Sequence, residues 1–307
     1  MIETEVDFTS GTQELVGTLT RPDNEPPYGA ALLLPGSGPL DRDANYRRMR
    51  FDTSRQLAHS LVKFGIATLR YDKRGVGKSP GDWRAAGLYD NVDDADAAIS
   101  YLTSQSDLRR GVAIVGHSEG AVLAAAVAAK RTDIAALVLL AGAARPGREV
   151  LLWQAERIMP SLPAPVRLVL KVLKADPVAK VAANHRKILA TTADVSRLGG
   201  ARINAKWFRE YLTHDPADDL SKYQGPVLAI TGEKDLQVDP ADLSRIKEVA
   251  GGPVTAHAIS DLTHTLRLQT HSPDLRKYRA EVKEPLDELT LLPLVGSWIA
   301  ERLRERG

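Results

Sequence analysis

The sequence predicts an α/β fold: a mostly parallel sheet with helices on both faces. Three observations carry this. Short, nearly continuous apolar runs recur along the chain, helix-like stretches lie between them, and the runs end in Gly, Asp, His or Ser, as buried strands do where they turn. Residue placement at the carboxyl ends of such strands is where open α/β sheets carry their sites.

The elements follow in order. LVGTLTRP (15–22) alternates apolar and polar residues and reads as an exposed early strand. AALLLPG (30–36), GIATLRYD (65–72), GVAIVGH (111–117), AALVLLAG (135–142), PVLAITG (226–232) and VTAHAIS (254–260) read as the buried strands. Helical patterns occupy 51–64, 90–105, 119–130, 240–250 and a terminal stretch near 286–305.

The alternation breaks once. Between 145 and 222 there is no convincing strand, and prolines 160, 163, 165 and 177 punctuate the segment. Val166, Val169, Leu170 and Leu173 fall at i, i+3, i+4, i+7 and predict one apolar helix face. The domain reading is therefore a core of 1–144 and 223–307, with 145–222 as a helical cap insertion. The insertion carries 14 Lys or Arg against 8 Asp or Glu, a net +6, which leaves −4 on the rest of a chain whose formal charge is +2. A solvated helix face explains such a bias, and so does a surface for an acidic substrate or for lipid headgroups.

With 307 residues, 43% of them hydrophobic, the chain buries a sizeable core, and its near-neutral charge points away from nucleic acid. It has no cysteine, which removes disulfides, thiolate nucleophiles and thiolate metal sites and fits a reducing, cytoplasmic setting. MIETEVDFTS at the N-terminus has an acid at position 3 and no apolar core, so it does not read as a signal peptide. AALVLLAGAA (135–144) is far shorter than the roughly 20 residues of a membrane span. The expectation is a soluble protein with no integral membrane segment, and the sequence leaves open whether it forms a homo-oligomer.

The chemistry centres on GHSEG at 116–120. Ser118 sits after a strand and before a helix, flanked two residues away by Gly116 and Gly120, as in a nucleophile elbow whose tight turn excludes bulk. The same place suits a serine N-cap; the paired glycines favour the nucleophile. The amide of Glu119 then opens the helix and is placed to meet an oxyanion. His117 reads as a structural neighbour, and the Glu119 side chain as a partner of the helix dipole.

A serine hydroxyl needs a base on a later loop, and three candidate histidines lie downstream. His257 falls mid-strand and reads as a packing residue, and His271 as a surface-loop reserve. His264, in SDLTHTL just past the last strand, is the choice. Asp235, in TGEKD, orients it; Asp239 before Pro240 reads as a helix cap and Asp261 as a turn residue. The order Ser118, Asp235, His264 matches Ser…Asp…His.

LLLPGSGPLDRD supplies a second oxyanion amide, that of Ser37, with Gly36 and Gly38 allowing close backbone approach; a plain Gly/Pro turn is the alternative. Asp41, Arg42 and Asp43 are expected to form ion pairs rather than hold metal. RGVGKSP (74–80) is not a phosphate loop, because Asp72 stands where the motif needs glycine, and GSGPLD has Asp41 in place of the third glycine of a dinucleotide fingerprint.

Taken together, LLLPGSGPLDRD, YDKRGVGKS, GHSEG, TGEKD and SDLTH resemble the α/β-hydrolase superfamily over essentially the whole chain. More narrowly they look like bacterial serine esterases of the dienelactone-hydrolase-like group with a Gly-Ser-Gly-Pro oxyanion loop, although Pro35 stands where many members have His. The resemblance implies an eight-stranded sheet, a helical cap after the sixth strand, no cofactor, and hydrolysis of a small-molecule carboxylic ester through an acyl-enzyme. In it Ser118 is the nucleophile, Asp235 the acid, His264 the base, the amides of Ser37 and Glu119 the oxyanion hole, and YDKRGVGKS a structural turn. A peptidase or thioesterase using the same triad, a lipase, and a non-catalytic binding module on the same scaffold are the alternatives.

Overall fold

The computed structural model describes residues 1–23, 27, 29–47, 49–108, 111–158 and 176–305. The helix face expected from Val166, Val169, Leu170 and Leu173 lies outside the described residues, as do Pro160, Pro163 and Pro165.

An eight-stranded sheet runs in the order β1-β2-β4-β3-β5-β6-β9-β10. Its strands are β1 (Ile2–Ser10), β2 (Gln13–Arg21), β3 (Gly29–Leu34), β4 (Ile66–Tyr71), β5 (Val112–His117), β6 (Ile134–Leu140), β9 (Val227–Gly232) and β10 (Val254–Ile259). β1, β2 and β4 pair antiparallel and every other neighbour pairs parallel. The chain winds from β3 outward to β4, then from β5 the other way toward β10. Strand order therefore reverses between β3 and β5, and the crevice beyond their carboxyl ends is the topological switch point where such sheets take ligands. The loops that leave these two strands are the ones containing Ser37 and Ser118.

The two-residue period of the strands divides the core. Ala30, Leu32 and Leu34 of β3 pack with α2 (Leu88–Ser104) and α3 (Glu119–Ala128), while Ala31 and Leu33 pack with α1 (Thr53–Lys63) and a terminal helix, Leu291–Glu305. Every residue of α3 is buried, which explains its Ala/Val composition: no face is left for polar residues.

Between β6 and β9 lie α4 (Gly147–Ile158), α5 (Pro177–Leu189), β7 (Val195–Leu198), β8 (Ala201–Asn204), α6 (Ala205–Thr213) and α7 (Pro216–Leu220). The expectation of an interval without strands is corrected here: β7 and β8 form an antiparallel hairpin. Its strands have four residues each, too few for a period to register, but Gly199-Gly200 between them, at φ 58° and 84°, is a two-residue hairpin turn. The segment is fastened to the core around residues 83–90. Asn204 Nδ2 donates to the carbonyls of Trp83 (2.8 Å) and Ala86 (2.6 Å), and Lys206 Nζ pairs with Asp90 at 2.7 Å. After α8 (Asp242–Val249) and β10, a short helix, α9 (Tyr278–Glu281), precedes the terminal helix α10 (Leu291–Glu305). No helix among the described residues is long and apolar enough to cross a membrane.

Candidate active site

Ser118 joins β5 to α3 with φ 57° and ψ −117°, a conformation that a residue with a Cβ adopts only when its surroundings enforce it. Two glycines do so. A Cβ on Gly116 would lie 2.1 Å from the carbonyl oxygen of Gly120, and one on Gly120 2.1 Å from that of Leu34, so neither position admits a side chain. The Ser118 amide is held by the Leu140 carbonyl at 2.9 Å. Its hydroxyl caps nothing on α3; it points instead to a histidine.

That histidine is His264, whose Nε2 lies 3.1 Å from Ser118 Oγ. On its other side Nδ1 lies 2.8 Å from Asp235 Oδ2. A carboxylate accepts, so Nδ1 carries the proton and Nε2 is left as the acceptor for the serine hydroxyl. Asp235 is itself anchored: its Oδ1 accepts the amides of Gln237 (2.7 Å) and Val238 (2.9 Å), and it is 2% exposed. The three residues thus form one continuous hydrogen-bonded chain, with a hydroxyl, an unprotonated ring nitrogen and a buried carboxylate in series. Chemically, an arrangement of this kind can take up a proton from Oγ and so make that oxygen a nucleophile.

The rival residues lie elsewhere. Asp239 accepts the amide of Ala241 ahead of α8 and pairs with Arg145, and Asp261 pairs with Lys234. His271 is exposed. His257 is exposed too, which corrects the expectation of a packing role: β10 is the edge strand, so its outer face has no layer against it.

The loop carrying His264 rests on a residue that sequence reasoning passed over. Arg267 is fully buried and donates to the carbonyls of Thr265 (2.8 Å), Glu284 (2.7 Å) and Phe51 (2.5 Å). Burial lowers its guanidinium pKa to about 10. Beside it the hydroxyls of Thr263 and Thr265 both donate to Glu281, from α9. An arginine in a run of threonines carries no motif, so only the fold reveals this function.

His117 is structural, as expected. Its Nε2 donates to the His264 carbonyl at 2.8 Å, so it carries that proton. Burial lowers its pKa to about 3, and the nearby His264 adds to the effect. The folded state therefore holds His117 neutral while the unfolded chain takes up a proton below about pH 6.5, so stability should fall as the pH is lowered from about 6.5 to about 3, at up to ~1.4 kcal/mol per pH unit. His117→Asn should flatten that slope of unfolding free energy against pH. An unchanged slope would mean that His117 protonates freely in the folded protein.

The loop after β3 stands opposite the elbow. Gly38 has φ 90°, which only glycine adopts readily, and a Cβ on Gly36 would approach Ser118 Cβ to 3.5 Å. Two of the charged residues after it form ion pairs with distant partners, Arg42 with Asp72 at 2.7 Å and Asp43 with Arg70 at 2.7 Å; Asp41 corrects the expectation, its carboxylate accepting the amides of Asp43 and Asn45 instead. Asp72, where β4 turns, also accepts the amide of Lys78, which gives YDKRGVGKS its structural purpose.

Lys73, in that same turn, was not anticipated as part of the site. Its Nζ donates to the Gly36 carbonyl at 2.8 Å and pairs with Glu119 Oε2 at 3.3 Å, and both side chains are buried. This corrects the reading of Glu119 as a helix-dipole partner. Its carboxylate turns to Lys73, to Asn91 Nδ2 (3.3 Å) and to Trp207 Nε1 (2.7 Å).

Two cavities meet at the loop. One of about 400 Å³ contains Ser118 and His264 and is walled by Leu40, Met49, Phe51 and Tyr278. The other, about 370 Å³, lies under α6 and is walled by Trp83, Leu151, Ile203, Trp207 and Phe208, with Glu119 and Lys73 at its base. Ser37 and Gly38 line both.

A family described as serine aminopeptidase, S33, matches residues 50–270, nearly three-quarters of the chain. The chain belongs to that family. Among curated proteins the chain is similar to Esterase EstD of Thermotoga maritima, with 29% identity over 255 residues, 82% of this chain. It spans only 58% of that relative's length. Among solved structures its fold is that of Est1E from Butyrivibrio proteoclasticus with ferulic acid bound (TM-score 0.62, 19% identity, 98% of each chain). It is likewise that of a proline iminopeptidase from Mycobacterium smegmatis (TM-score 0.65, 17% identity, 99% of this chain and 100% of the other). The architecture is the α/β-hydrolase fold, and a protein named as an esterase is among those the chain resembles.

Proposed function

We propose that the protein is a carboxylesterase-type serine hydrolase. Ser118 attacks the ester carbonyl while His264 takes its proton, Asp235 holds the imidazole and stabilises its charge, and the amides of Ser37 and Glu119 receive the oxyanion. His264 then protonates the leaving alcohol and activates the water that releases the acyl group. No cofactor enters this scheme. The observation that supports it most is the hydrogen-bonded chain from Ser118 Oγ (3.1 Å) through His264 to Asp235 (2.8 Å), made by residues from three separate loops. The Gly36-Ser37-Gly38-Pro39 loop is the basis for placing the protein in the narrower dienelactone-hydrolase-like group.

In this reading residues 145–222 act as the cap, and the two cavities take the two arms of the substrate, divided at the loop that carries Ser37. The cavity under α6, with Trp83, Trp207 and Phe208 in its walls, suits a flat or bulky apolar group. Leu151→Trp fills it. Because burial of a large apolar group is worth about 1.5–3 kcal/mol, KM for p-nitrophenyl esters with a bulky acyl group should rise roughly 10- to 100-fold, with little change for acetate. Equal KM changes for both esters would separate this cavity from substrate binding.

The family's description and the likeness to a proline iminopeptidase favour an amide substrate as the second reading. Rates on matched ester, thioester and amide substrates decide between them. An ester rate below the amide rate would reverse the assignment.

A further inference from the structure

We propose that Lys73 is a positioning residue of the oxyanion hole, holding the Gly36–Ser37 peptide so that the Ser37 N–H faces the reacting carbonyl oxygen. This rests on the esterase reading above. A trans peptide is planar, with its C=O and N–H pointing in opposite directions. The Gly36 carbonyl accepts from Lys73 Nζ at 2.8 Å, so the N–H of the same peptide unit, which belongs to Ser37, points away from the lysine. Gly36 and Gly38 flank Ser37, and glycine leaves neighbouring peptide planes free to rotate. Among the described residues no acceptor takes the Ser37 N–H, which leaves it available to a ligand.

The same side-chain pair reaches the second donor. Glu119, whose amide opens α3 beside Ser118, accepts from Lys73 at 3.3 Å and is fixed by Asn91 and Trp207. One buried ion pair thus couples both proposed oxyanion amides, through chain segments 46 residues apart. A cation on the carbonyl side of a peptide also polarises it and strengthens its N–H as a donor, most of all away from water. Lys73 touches no reacting atom; it acts through the peptide.

The test uses the full chain with Lys73→Met and Lys73→Arg. For each, kcat and KM are measured on p-nitrophenyl butyrate, along with the rate at which a fluorophosphonate labels Ser118 and the thermal melting curve. Lys73→Met should lower kcat and the labelling rate in parallel by about 100-fold, the scale of losing or misplacing one oxyanion donor, with KM within about threefold. Lys73→Arg, which keeps a cation, should recover most of the loss. If Lys73→Met fails to fold, Lys73→Gln, which keeps polarity without charge, is read in the same way. A folded uncharged variant with kcat within about threefold of the parent overturns the inference and leaves the esterase reading standing, as does a loss confined to KM. A parent protein that neither turns over any ester nor labels removes both.

Discussion

Ser118→Ala is expected to lower kcat for p-nitrophenyl ester hydrolysis by about 10⁶-fold, the scale seen when the nucleophile of a serine triad is deleted. The substitution removes one hydroxyl that makes a single hydrogen bond, to His264 at 3.1 Å. The positive φ of 57° at this position is imposed by the close approach of Gly116 and Gly120, and alanine has the same Cβ as serine. The fold and melting temperature should therefore be nearly unchanged while covalent labelling by a fluorophosphonate disappears. Retention of more than about 1% of the parent rate, far above that 10⁶-fold loss, would take the nucleophile's role from Ser118.

The second large effect is expected at Asp235. Asp235→Asn is nearly isosteric, and the amides of Gln237 and Val238 demand an acceptor from it at 2.7 and 2.9 Å. The asparagine oxygen will take that place, which turns its NH₂ toward His264 Nδ1. Nδ1 must then accept, the ring proton moves to Nε2, and the nitrogen facing Ser118 Oγ has no lone pair to offer. Loss of the correct tautomer is worth about 10⁴-fold in kcat with geometry intact. Because the residues act as one unit, the double variant Ser118→Ala/Asp235→Asn should be no slower than Ser118→Ala alone. A full multiplicative loss in the double variant would show that Asp235 acts independently of the serine.

Much of this site was legible in the sequence. The elbow was, because a tight strand-turn-helix needs small residues two positions either side of its serine: a Cβ on Gly116 would meet the Gly120 carbonyl at 2.1 Å within the same five residues, although Gly120 itself is confined by Leu34 of the neighbouring strand. Asp235 and His264 were legible through strand ends, since each apolar run marks where a loop must emerge over the carboxyl edge. The β7–β8 hairpin was missed although Gly199-Gly200 signalled it, because four-residue strands show no period. The exposure of His257 was missed for another reason: whether a strand is central or at the edge depends on its neighbours.

By itself, then, the sequence did not reveal β1 or the β7–β8 hairpin, but it determined the order of the sheet's strands from β2 to β10, the helices between them, the break in that order after β6, and the residue types offered at the sheet's carboxyl edge. These depend on apolar periodicity and on backbone sterics, which act over a few residues. Only the tertiary structure decided which offered groups meet. Ser118 reaches a histidine 146 residues away, Lys73 joins the Gly36 carbonyl to Glu119, and Trp207 of the inserted segment closes on that same carboxylate. Those contacts are set by strand register and by how helices dock on the sheet. A polar side chain's partner there is whatever buried group most needs a hydrogen bond, and no local pattern records that.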